Sequence, residues 1–321
     1  MQRYVCRSCH RNFSSQTFST SYWLKHPRLL GPLFHRLLGC SALRQIAREF
    51  GLAHSSVQRQ AERLGRHCLL LLEALRPKGA PSEPLVLDGV RTFEHSQYWP
   101  FELNLLVGAS HFVYGFHDAE LRRSGTLRPA QRAKRAALEA AHGRPPPQAT
   151  RLAVEELVAR VVPPGASVAI ESDAHGAYPQ AFARLADRRI RHRTTSSKES
   201  RTPRNPLFPA NLADLLLRHT SANHKRETIA FSKRRQGALY RVAIWAVWRN
   251  YLKSRSENRG DEPPGVALGL IPSRLGVREV LAERRFPWRQ ALGPWLLRCY
   301  FARIPTRRLP RCRSHTLRYA L

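Results

Sequence analysis

Three aspartates stand where a carboxylate needs a reason. Asp88 interrupts the apolar run "LVLDGV" (85–90), whose Leu85, Val86, Leu87 and Val90 suit a buried strand, and an unpaired carboxylate in an apolar setting is costly. Asp173 follows Val168, Ala169 and Ile170 in "ASVAIESDAHGAYP". Asp214 lies in "PANLADLLLRH", where Asn211, Asp214 and Arg218 are spaced three and then four apart and share one stripe of a helix. A lone Asp before Gly89 also suits a turn. Two such carboxylates brought together repel each other, unless a hard divalent cation sits between them. A second set has thiol chemistry: "YVCRSCHRNF" sets Cys6 and Cys9 in a Cys-x-x-Cys knuckle with His10 beside it, half of a zinc site. No second pair follows at ribbon spacing, so its partner is expected upstream. The other cysteines, at 40, 68, 299 and 312, are too scattered for a disulfide framework.

Elements must bring the acids together, and the texture of the chain supplies them. "LVLDGV", "FELNLLVGAS" (101–110) and "HFVYGFHDAE" (111–120) read as three strands. Two helices follow, "TLRPAQRAKRAALEAAHG" and "QATRLAVEELVARVV", divided by "RPPP". A fourth strand runs into Asp173, a helix spans 177–185, and "RRIRHRTT" is a fifth strand before the helix carrying Asp214. Three strands, helix, strand, helix, strand, helix is the order of an RNase H-like α/β fold with a mixed sheet. In that order the first and fourth strands are neighbours, so Asp88 meets Asp173. Asp214 is favoured as a third acid over Glu227, with Leu212, Leu215 and Leu216 expected to face inward.

The charge names the partner. Lys and Arg number 54 against 23 Asp and Glu, a net charge of +31, far beyond what solubility requires and suited to a polyanion. No apolar run is long enough to span a membrane. Ahead of the strands, 21–40 carries a stripe of Leu29, Leu30, Leu33, Leu37 and Leu38. In "SALRQIAREFGLAHSSVQRQAERLG" (41–65), a helix, a turn at Gly51 and a second helix over 54–64 make a helix-turn-helix pattern. Arg44, Ser55, Ser56, Gln58, Arg59 and Arg63 are its candidate DNA contacts. A Pro- and Gly-rich linker (76–84) precedes the strands. The expected organisation is therefore a partial zinc ribbon (1–20), a helix-turn-helix module (21–75), the linker, a catalytic domain (85–252) and a basic, partly helical extension (253–321).

Taken in order, the knuckle followed by "NFSSQTFSTSYW", then "RQIAREFGLAHSSVQRQAERLG", "LVLDG", "ESDAHGAYP" and "NHKRETIAFSKRR" resemble bacterial insertion-sequence transposases of the DDE type with an amino-terminal zinc ribbon. The resemblance implies metal-dependent DNA strand cleavage and strand transfer, with Asp88 and Asp173 as the first two catalytic acids and metal ligands. It implies magnesium, replaceable by manganese, and zinc at Cys6 and Cys9. Its partner is double-stranded DNA, both element ends and target, met by a homo-oligomer in a bacterial cytoplasm. Arg218, Lys225, Arg226, Lys233, Arg234 and Arg235 would hold phosphates. Where relatives carry Glu-x-x-Asn-x-x-x-Arg, this chain has Asn211, Asp214 and Arg218. That departure supports a second reading, a decayed transposase acting as a DNA-binding regulator; a host nuclease on the same fold is a third.

Overall fold

The computed structural model describes residues 2–17, 19–196, 198–257 and 262–306. It is mixed α/β, with the elements ordered as the sequence pattern predicts. Two short strands, β1 (Arg3–Val5) and β2 (Asn12–Ser14), pair as a hairpin that carries the cysteine knuckle at its turn. Three helices follow: α1 (Leu30–Leu38), α2 (Leu43–Glu49) and α3 (His54–Leu75). Then come β3 (Leu85–Phe93), β4 (Pro100–Gly108) and β5 (Val113–Glu120), two helices α4 (Pro129–His142) and α5 (Ala149–Val161), and β6 (Ser167–Ser172). The series continues through α6 (Ala177–Ala183), β7 (Arg189–Thr194), α7 (Phe208–Thr220) and α8 (Arg235–Val247). Short helices α9 (Pro264–Ala267), α10 (Val277–Ala282) and α11 (Pro294–Tyr300) end the described chain. Among the described residues, no helix is long and apolar enough to cross a membrane.

β3 to β7 form one sheet in the order β5-β4-β3-β6-β7. β3, β4 and β5 pair antiparallel, whereas β6 runs parallel to β3 and β7 parallel to β6. β4 is buried along nearly its whole length, because α5 covers one face and α7 the other. β6 alternates, burying Val168, Ile170 and Ser172. The outer strand β7 exposes Arg189, Arg191 and Arg193, charges that discourage pairing with another chain.

The helix-turn-helix segment is fused to this core. Gly51, at φ +62°, makes the turn between α2 and α3, a backbone region glycine enters without a steric penalty. The second helix does not stop at Leu64 as its pattern suggests, but continues to Leu75. Gly65 lies inside it because α3 crosses α8 there: a Cβ on Gly65 would sit 2.3 Å from the Tyr240 Cβ. What reads as a helix breaker is a point of close approach. α8 is wholly buried apart from Gly237, with Trp245 and Val247 fully enclosed. One hydrophobic cluster therefore runs from Leu30 through the sheet to Ile304. Residues 262–306 contribute to it: Trp295, Leu296, Cys299 and Tyr300 of α11 are buried, and Gln236 and Tyr240 donate to the Cys299 carbonyl at 2.8 and 2.9 Å. Residues 307–321, with Cys312, lie outside the described residues.

Gly65→Ala should raise intrinsic helix propensity by roughly 1 kcal/mol, yet it is expected to destabilise the protein by about 1–3 kcal/mol, because two backbones must move apart. Urea unfolding of the variant checks this; a higher midpoint would show that α3 and α8 do not meet so closely.

Candidate active site and nucleic-acid interface

The sheet register sets the acids. β3 and β6 pair as Leu85↔Ile170, Val86↔Glu171 and Leu87↔Ser172, so one further step brings Asp88 alongside Asp173, the first residue past the end of β6. Side chains alternate along a strand, and Val86, on the same face as Asp88, packs against Leu207 and Ala210 at the start of α7. Asp88 thus points to the side of the sheet that α7 covers.

α7 lies on the sheet through a different face from the one predicted. Ala210, Ala213 and Leu217 are buried, while Leu215 is 62% exposed and Leu212 and Leu216 are half-buried. Small alanines let the helix sit close to the strands, and the larger leucines remain outside. The rotation turns Asp214, next to Ala213, toward the sheet rather than away from it.

The Asp88 carboxyl is raised to about 6. Burial is the main cause, opposed by the Gly89 amide that donates to Oδ1 at 2.8 Å, and the negative charges of Asp173, Asp214 and Glu102 add to it. Asp173 accepts the His175 amide at 3.1 Å. Asp214 accepts Arg218 Nε at 2.6 Å, one turn along α7. Glu227, the competing acid, is exposed in the loop after α7 and is not among the charges that raise Asp88.

Glu102 was not singled out from the sequence. It is 2% exposed, accepts the Thr150 hydroxyl at 3.2 Å and pairs with Arg91 at 3.3 Å. Its side chain crosses Gly89, where a Cβ would meet the Glu102 Cδ at 2.6 Å. Glycine after Asp88 therefore makes room for a neighbour. Beside Glu102, the amide of fully buried Asn104 has no hydrogen-bond partner. A Glu and an Asn at alternate places in an otherwise apolar strand were the available signal.

Whether these residues suit a divalent cation depends on which are counted. Asp88 and Asp173 offer only oxygen donors in a locality with surplus negative charge, which fits a hard ion. Asp214 is committed to Arg218, and among the described residues no three of His, Cys, Asp and Glu stand close enough to hold one ion between them. The pair fits and the triad, as placed, does not. At the knuckle, the Cys6 thiol is lowered by the Cys9 amide first and then by the Ser8 amide. Cys9 is exposed, and Tyr4 stacks on Phe13 at 5.2 Å to brace the hairpin. That geometry favours the Cys6 thiolate, but among the described residues no third zinc ligand stands beside the two cysteines.

Of the proposed DNA contacts, Arg44, Ser55 and Arg59 are exposed, and Ser56 and Gln58 are half-buried, with Gln58 donating to Glu62 at 2.9 Å. Arg63 is a correction: its guanidinium donates to the carbonyls of Thr20 and Tyr22 at 3.2 and 2.6 Å, tying the preceding loop to α3. Lys225, Arg226 and Lys233 are exposed, and Arg234 is half-buried. Arg235 is the second correction. At 2% exposure it pairs with Asp118 at 2.9 Å and Glu120 at 2.7 Å, locking α8 to β5. Arg218 is occupied by Asp214, with longer contacts of 3.4 Å to the His224 and Arg91 carbonyls. The Lys233 ammonium is lowered by partial burial and then by the charge of Arg44, and the Cys40 amide donates to the Thr220 carbonyl at 2.8 Å, so the end of α7 meets the turn before α2.

No protein-family model and no curated protein matches the chain. Among solved structures, one similar chain comes from the cryo-EM structure of the simian T-cell lymphotropic virus intasome in complex with PP2A regulatory subunit B56 gamma. It is 14% identical, the alignment covers 89% of this chain and 78% of that one, and the TM-score is 0.26. So loose a superposition bears no weight for fold or chemistry, and the site's meaning rests on its own residues.

Proposed function

We propose that the chain is a DNA-processing enzyme, an RNase H-like DDE-type transposase that cuts and joins phosphodiesters at insertion-sequence ends. The observation that carries this is the parallel β3–β6 pairing, which sets Asp88 beside Asp173 with the Asp88 carboxyl raised to about 6. Such a pair of acids in a chain of net charge +31 supports chemistry on a polyanion. Asp88 and Asp173 would hold magnesium or manganese, which supplies activation of a water or a 3′-hydroxyl and stabilisation of the leaving oxygen. Arg44 and Arg59 on the helix-turn-helix, with Lys225, Arg226 and Lys233 on the adjoining loop, would grip the backbone. Asp214, near Asp88 on α7 and paired with Arg218 as placed, would join Asp88 and Asp173 as the third acid of this reading only on release of that ion pair.

The test is cleavage of duplexes carrying the element's inverted repeats, with magnesium and with EDTA. Asp214→Ala is expected to lower the cleavage rate by about a hundredfold or more, and Glu227→Ala by less than about threefold. The reverse ranking would move the third acid to the loop. The Asp214–Arg218 pair also favours a second reading, the decayed regulator; tight, specific binding of the repeats with no cleavage in either metal would establish it and remove the first.

A further inference from the structure

The loop between α7 and α8 presents an apolar side chain that the fold does not use. Ile229 is 96% exposed, more than any other large hydrophobic residue described. The loop around it is anchored. Arg218 reaches the His224 carbonyl at 3.4 Å, Asn223 donates to the Ser232 hydroxyl at 3.0 Å, and His95 N–H donates to the Ser232 carbonyl at 3.1 Å. Phe231 packs on Phe93 at the end of β3, ring centroids 4.9 Å apart. The Ala230 amide donates to the Thr228 hydroxyl at 3.0 Å, turning the chain at the tip. A braced base and a bare isoleucine at the apex describe a projection rather than a loose strand.

Its surroundings select the occupant. Lys225 and Arg226 precede Ile229 in the loop and Lys233 follows it, all three exposed, and the charge of Arg44 reaches Lys233. An apolar protein groove would have to desolvate these cations. A duplex would not, because its phosphates flank the groove while the faces of its stacked bases are apolar. Proteins that enter the minor groove commonly insert one aliphatic residue between base pairs while cations hold the backbone. Arg218 ties the loop's base to Asp214, so the projection has a set place relative to the acids.

We propose that Ile229 is an apolar wedge that enters duplex DNA at a base step and unstacks it at a fixed offset from the Asp88–Asp173 pair. This rests on the DNA-processing reading only for the identity of the partner. Unstacking a step within the bound duplex loosens a strand that the intact helix holds in place, and so eases its approach to the acids.

The test uses the full-length protein in EDTA, so that no strand is cut, and 2-aminopurine walked through a duplex that the protein retards in gels. Wild type is expected to raise the fluorescence about twofold or more at one step and little elsewhere. Ile229→Ser should abolish the rise while affinity stays within about threefold and its salt dependence is unchanged; Ile229→Leu should keep it. Lys225→Gln should do the opposite, weakening binding and flattening the salt dependence. A rise that persists in Ile229→Ser, or a wild type that binds without any rise, overturns the wedge and leaves the DNA-processing reading standing. A wild type that binds no duplex overturns both.

Discussion

Asp88→Asn is expected to bind inverted-repeat DNA as tightly as wild type and to lose cleavage by about a thousandfold or more. The substitution keeps the shape of the side chain, and the amide oxygen still accepts the Gly89 N–H. It removes the negative charge and turns an amide donor toward a site surrounded by Asp173, Asp214 and Glu102. A hard cation loses one of its two close carboxylates, while Arg44, Lys225, Arg226 and Lys233 on the outer surface are untouched. Gel shift and end cleavage on one preparation separate the effects. Cleavage in magnesium within about tenfold of wild type would remove Asp88 from the chemistry.

The same substitution should stabilise the protein, and only at neutral pH. The Asp88 carboxyl is raised from 3.8 to about 6, so the folded protein holds this proton more tightly than the unfolded chain does. Its contribution is fully present below pH 3.8, is lost as the pH rises through 6, and is gone at pH 7.5, a cost on the order of 2–3 kcal/mol. Asn never ionises and escapes that cost. In EDTA, Asp88→Asn is expected to unfold at higher temperature than wild type at pH 7.5, with the advantage shrinking below pH 6 and absent near pH 4. Magnesium should recover part of the difference for wild type alone, because a ligand that binds only the folded state stabilises it. A variant less stable at pH 7.5, or a difference that does not change with pH, would show that Asp88 is not held in a crowded, buried site.

Much of this placement was legible in the residues. β3 and β6 announced themselves through apolar runs ended or broken by an acid, and strand order made Asp88 and Asp173 neighbours. α7 was legible as a helix but its rotation was not: three leucines outweigh two alanines in any pattern of hydrophobicity, whereas close packing on a sheet favours the smaller Ala210 and Ala213. Partners also decide the cations. Arg63 and Arg235 look like any other member of a basic stretch, and only the folded chain brings backbone carbonyls to the first and Asp118 and Glu120 to the second. The run of α3 past Leu64 was not legible for the same reason, since the place of Gly65 is set by Tyr240, 175 positions away in "GALYRVA". Glu102 shares β4 with one other polar residue, Asn104, and its use appears only when Gly89 is seen beneath it.

The unbroken run of α3 has a consequence for where a cut can fall. Its 22 residues make a rod about 33 Å long, close to one turn of B-DNA, and its far half is welded to the α8 layer. On the proposed reading, the base pairs that are read and the bond that is severed are therefore held by one continuous packed body with no joint between them. The offset between them should then be a constant count of base pairs, kept even when spacer nucleotides are added to the end.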